Sequence, residues 1–156
     1  MKLVGALALI AALCGCEKAA HEHLAEARQA LAETRYADAL SASEAGHRGN
    51  PTATVSWGLD LVKLEAHARA GNGSEAKQQI ERLDRLYPDR VPATEYTATA
   101  YQLQSAGQGV AAIEVLDLGA KRHPYDGLIQ WMIARFGAHD ADPEELEMLR
   151  SLGYIE

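Results

Sequence analysis

The stretch Gly71-Asn72-Gly73-Ser74-Glu75-Ala76 opens a run that closes twelve residues after Ala76, at Pro88, and the chain then repeats that punctuation. Gly107-Gln108-Gly109 leads into Ala112, and Pro124 follows at the same distance; upstream, Thr34-Arg35 precedes Ala39, which is followed by Pro51. From alanine to alanine the spacings are 37 and 36 residues. Glycine at a tight break supplies the positive φ that ends a helix. Proline at the looser break cannot continue one, because it lacks the amide donor and clashes with the preceding turn. Three such sets in phase indicate tandem units, each a pair of helices.

The apolar residues between the breaks keep helical spacing. Leu24, Ala27 and Leu31 mark one stripe; Trp57, Leu61, Leu64 and Ala68 a second; Ala76, Ile80, Leu83 and Tyr87 a third. Tyr96, Ala100 and Leu103, then Ala112, Leu116 and Ala120, then Ile129, Met132 and Phe136 continue the series. Each stripe occupies one face of a helix of three to four turns. After Gly137, Asp142-Pro143-Glu144-Glu145 supplies an N-cap, a first-turn proline and a capping-box glutamate. A last helix from about Pro143 to Leu152 is expected, with Leu146 and Leu149 inward, as the closing element that a solenoid needs. Leu152, Tyr154 and Ile155 read as packing residues.

This arrangement resembles the tetratricopeptide repeat, whose second helix carries an alanine near its start and whose unit closes on proline. The resemblance spans about residues 20–137 and implies an all-α, right-handed helical-hairpin solenoid of about three repeats, with residues 138–156 as a C-terminal capping helix and tail. Ile80 and Leu116 stand where the family expects apolar residues. The middle unit departs from it: Asp60, Lys63, Leu64 and His67 occupy positions where the family reads Trp, Leu, Gly and Tyr. Ser43 stands where the first unit should have a large apolar residue, and the period exceeds the usual 34. A generic stack of helical hairpins is the alternative.

At the other end, Met1-Lys2 precedes an apolar run from Leu3 to Leu13. As a helix this run would extend only about 16 Å, roughly half a bilayer core, so it reads as a secretory signal rather than a span. It ends in Leu13-Cys14-Gly15-Cys16, which resembles the lipobox of bacterial lipoproteins. That resemblance implies a signal peptide over residues 1–15, a diacylglycerol on Cys16, and a short tether over 16–19. It implies an envelope location facing the periplasm, and Glu17, where many proteins retained in the inner membrane carry Asp, favours the outer membrane. Cleavage there removes Cys14 and leaves no thiol free for a disulfide, redox pair or metal site.

The 156 residues carry a formal charge of −7. An acidic balance argues against nucleic acid as partner and against general adhesion to anionic lipid. His21 and His23 flank Glu22, but residues two apart on a helix point about 200° apart and cannot chelate together. His47, His67, His123 and His139 are scattered, without cysteine or carboxylate neighbours at ligand spacing. No nucleophile elbow, phosphate loop or dinucleotide fingerprint occurs. Glu144, Glu145 and Glu147 read as a solvated capping face. The sequence thus indicates no enzyme, no cofactor and no metal.

What the repeat resemblance implies is a groove lined by the first helix of each unit. Carried over residue by residue, it places Arg28, then Leu61, Glu65 and Arg69, then Thr97, Tyr101 and Gln104 on one partner-binding surface. Arg69 and Tyr101 are its expected centre, since Arg and Tyr anchor many interfaces. The expected partner is a protein of the cell envelope, with the membrane engaged through the N-terminal lipid. Two other readings are a noncatalytic accessory subunit of a secreted hydrolase such as a sulfatase, whose tails the ending Leu149–Glu156 resembles, and a histidine-based metal or small-ligand carrier.

Overall fold

A computed structural model describes residues 19–138 and 141–156. The expected signal segment, Cys14, Cys16, Glu17 and His139 lie outside the described residues. Eight helices follow in order: α1 Ala20–Ala32, α2 Tyr36–Arg48, α3 Ala53–Arg69, α4 Gly73–Leu86, α5 Ala93–Ser105, α6 Gly109–Arg122, α7 Gly127–Ala138 and α8 Pro143–Ser151. No strand occurs among the described residues. The chain is an all-α helical-hairpin solenoid. Odd-numbered helices stack on one another from α1 to α7, and α4, α6 and α8 form a second row behind them.

The two kinds of break fold as their chemistry dictates. At each tight turn one residue takes a left-handed conformation: Gly71 and Gly107 at φ 74°, and Thr34 at 58°. Each turn closes with the same pair of backbone bonds. Asn72 N donates to His67 O and Gly71 N to Ala68 O; Gln108 N donates to Leu103 O and Gly107 N to Gln104 O; Arg35 N donates to Ala30 O and Thr34 N to Leu31 O. These bonds satisfy carbonyls that a helix end leaves unpaired. On the proline side, the Thr52 hydroxyl accepts from Val55 N, and the Asp126 carboxylate accepts from Leu128 N and Ile129 N. Asp142 builds the expected capping box with Glu145 at the start of α8. Gly137 does not end α7, which continues to Ala138.

Ala39, Ala76 and Ala112 are fully buried at the starts of the second helices, where only a methyl group fits between the two members of a hairpin. The core forms two clusters that meet at α3. Leu59, Val62 and Ala66 face α1 and α2, whereas Leu64 and Ala68 face α4 and α5. Being covered on both sides, α3 has no single apolar stripe. It also carries a buried carboxylate, Asp60, 1% exposed. Gln79 of α4 donates to both the main-chain oxygen and Oδ1 of Asp60, at 3.1 and 3.2 Å. His47 Nε2 of α2 lies 3.2 Å from the same Oδ1, and Arg82 3.9 Å away. A polar knot therefore ties the first hairpin to the second. Ser43 is buried too, its hydroxyl returned to Ala39 O at 2.8 Å.

At the C-terminal end, Leu149 is fully buried, with Leu152, Tyr154 and Ile155 packed against the larger cluster. Tyr154 donates its hydroxyl to Asp117 of α6 at 3.1 Å. Burial, then that bond and the Asp117 charge, push the phenol up to about 12. The tail thus closes the second row, and Leu146 stands only half-buried at its margin.

Candidate binding face

The stacked odd helices present one continuous face, and the seven residues expected on it divide by register. Leu24, Leu61 and Thr97 share one position along the repeat. Leu24 and Thr97 are buried and Leu61 is half-buried, so this position is the seam between neighbouring first helices. Thr97 turns its hydroxyl back to Thr94 O and Ala93 O, at 3.2 and 3.4 Å. At 6% exposure it cannot line a groove, which corrects the expectation for that residue.

One turn further on, Arg28, Glu65 and Tyr101 emerge. Arg28 is exposed and passes over Gly58, where a Cβ would meet its Nη2 at 3.4 Å. Arg69 bonds Glu65 at 3.2 Å, and its guanidinium lies 5.7 Å above the ring of Tyr36. Tyr101 is 66% exposed. It forms the wall between two depressions. One, of about 230 Å³, also borders Tyr36, Arg69 and Ser105. The other, of about 240 Å³, borders Gln104, Trp131, Met132, Arg135 and Phe136.

Trp131 and Arg135 of α7 were absent from the sequence-based set. The indole is 55% exposed, with the Arg135 guanidinium 5.4 Å from its ring centroid. The signal was present: α7 is a fourth first helix, and Trp131 lies off its buried stripe of Ile129, Met132 and Phe136. Tyr36, at the start of a second helix, had no such signal, since it enters the face only through the tight turn beside it.

The electrostatics of the face are mixed. Burial, and secondarily the Glu65 charge, raise the carboxyl of Glu95 on α5 above the ordinary range. Arg69 and Arg135 flank the aromatic rings with positive charge. Cations over aromatic rings and large exposed rings beside a cleft suit the capture of an extended or helical peptide segment. Among the described residues, no group of three or more His, Cys, Asp or Glu side chains is placed to hold a metal ion. His23 instead approaches Glu26 at 3.6 Å, and burial lowers the His67 imidazole below its ordinary value. No described helix is long and apolar enough to cross a membrane. Comparison with protein-family models, curated proteins and solved structures finds no match to this chain.

Proposed function

We propose that the protein is an envelope lipoprotein, tethered through an acylated Cys16, whose tetratricopeptide-like solenoid is a non-enzymatic scaffold or assembly factor that binds a protein partner. The observation that carries this reading is the face of the odd helices. Two large aromatic side chains, Tyr101 and Trp131, stand more than half exposed around one cleft, each beside an arginine. Interfaces use such side chains as anchors because they bring contact area at low entropic cost.

The test is site-specific photocrosslinking in living cells. A photoreactive phenylalanine analogue at Tyr101 or Trp131 should give a discrete adduct, absent when the same analogue replaces exposed Gln78 on α4. An Arg135→Glu change in the same chain should weaken the adduct at Trp131. Equal labelling at all three sites, or none at the first two, would remove this face as the binding site. The mass of the adduct would name the partner and distinguish an assembly component from a secreted hydrolase.

A further inference from the structure

The hairpin topology sorts the two kinds of break onto opposite edges of the solenoid. Thr34, Gly71 and Gly107 lie on one edge, whereas Pro51, Pro88 and Pro124 lie on the other, together with the first residue of α1. Cys16 precedes Ala20 by four residues, a stretch that spans at most about 14 Å fully extended. A helix of thirteen residues is about 20 Å long, and α1 has that length. If Cys16 is acylated, the proline edge is held at the bilayer surface, and the glycine edge stands about one helix length further out.

The composition of the proline edge fits that position. Of the five large apolar side chains exposed among the described residues, Tyr101 and Trp131 border the cleft and the other three are on this edge: Leu86 at 53%, Tyr125 at 99% and Leu128 at 50%. Arg48, Arg85 and Arg90 are exposed beside them and form no ion pair with a described residue, although the Arg90 guanidinium lies over the Trp57 ring, 4.8 Å from its centroid. The edge's acids are partly neutralised: Arg122 engages Asp84 at 3.0 Å, Asp126 is used by the α7 amides and Glu22 by the Ala19 amide, with Asp89 exposed and Glu95 half-buried among them. The acidic residues of α8 begin at the opposite edge, where Glu145 lies over Gly109. Arg48, Arg85 and Arg90 thus stand with the unsupported Leu and Tyr side chains at the end the tether leaves from, whereas Arg35 and Arg69 stand at the glycine edge. Tyrosine at the headgroup level and arginine over anionic lipid are the favourable placements for such residues.

We infer that the proline edge, with Leu86, Tyr125 and Leu128 at its centre, lies against the headgroups of an anionic bilayer and fixes the orientation of the solenoid, leaving the odd-helix face open sideways to its partner. The inference rests on acylation at Cys16. The full chain, matured with its anchor, is reconstituted into vesicles of phosphatidylethanolamine and phosphatidylglycerol and recovered by flotation. The chain has two cysteines; on this reading one leaves with the signal and the other is acylated, so a cysteine introduced by Leu86→Cys or Tyr125→Cys is a unique attachment point for a fluorophore. Asn72→Cys and Gln108→Cys serve the glycine edge.

Labels at 86 and 125 should shift to the blue and be quenched by lipid carrying a headgroup-level nitroxide, whereas labels at 72 and 108 should not respond. Replacing phosphatidylglycerol by phosphatidylcholine should reduce the quenching at 86 and 125. Flotation with all four labels in water, or with the glycine-edge labels quenched equally, would overturn the orientation and leave the anchor standing. Failure to float would overturn the anchor and the inference with it.

Discussion

Replacing Gly119 with alanine sets two opposed effects against each other within α6. In an open helix the change is stabilising by about 1 kcal/mol, because glycine loses more backbone freedom on folding. At Gly119, however, a Cβ would lie 2.8 Å from Tyr96 Cβ, 2.9 Å from Tyr96 Cγ and 3.1 Å from Ile129 Cδ1. Relief cannot come from a side-chain rotation, since the nearest atom is the first one off the α5 backbone and Tyr96 is 1% exposed. Helix α5 itself must move, and overpacking of that kind costs typically about 1–3 kcal/mol. The clash exceeds the propensity gain, for a net loss of about 1 kcal/mol, which for a domain of this size lowers the melting temperature by roughly 3–4 °C. Thermal unfolding followed by helical circular dichroism measures it. Gly127→Ala is the internal control, because a Cβ there meets nothing within 4 Å; it should leave the midpoint unchanged or raise it. A Gly119→Ala midpoint equal to or above the native one would refute the close approach of α5, α6 and α7.

Ala76→Leu and Ala112→Leu, both at fully buried positions, should each cost about 1–3 kcal/mol by overpacking the hairpin crossings, read as a lower melting temperature; neutrality at both would contradict the helix arrangement. Thr34→Gly should raise the melting temperature, because a β-branched residue at φ 58° carries about 1–2 kcal/mol of left-handed strain that glycine does not, part of which the greater unfolded freedom of glycine offsets. Glu95 gives a pH dependence. Its folded carboxyl titrates above the ordinary value of 4.5, so ionisation opposes folding, and the stability it permits at acid pH declines as pH rises from the ordinary carboxylate range through the raised one. Glu95→Gln should therefore raise the midpoint at pH 7 and leave it unchanged at pH 4. Cys16→Ser should abolish fatty-acid labelling and membrane recovery, with Cys14→Ser retaining both.

Helix number, order and caps were legible because they depend on residues with strong local preferences. Glycine before α4 and α6, proline after α2, α4 and α6, and Asp142 before α8 each act within a few residues, and the structure places breaks at all of them. Thr34 was legible only through the repeat, since threonine has no preference for a left-handed turn and takes it here because α1 and α2 must pack. The polar knot was not legible at all. In sequence Asp60 reads as a surface substitution, and its burial depends on Gln79 and His47 arriving from two other helices. The first unit shows the same dependence: a Cβ at Gly46 would lie 2.9 Å from both δ-carbons of Leu59, so α3 supplies to that unit the bulk its own second helix lacks.

Exposure along the odd-helix face follows the repeat register, and the one covered position among the expected residues has a physical origin. Residues four apart on a helix lie on one side, so Leu61 with Glu65, and Thr97 with Tyr101, look equivalent in sequence. In the solenoid each first helix packs against the next, and that contact covers one edge of the face while leaving the other open. Positions 24, 61 and 97 lie on the covered edge; positions 28, 65 and 101 lie on the open one. Chemistry does not reveal the difference, because leucine and threonine are as plausible in a groove as in a seam. What separates them is the helix that follows. The same reasoning brings α7 into the site: as the last first helix, it covers α5 on one side, and Trp131 and Arg135 extend from its free surface to complete the cleft that Tyr101 begins. The face expected from three units therefore lacked the fourth helix, and on the proposed function the best-placed anchors are Tyr101 and Trp131 rather than Arg69 and Tyr101.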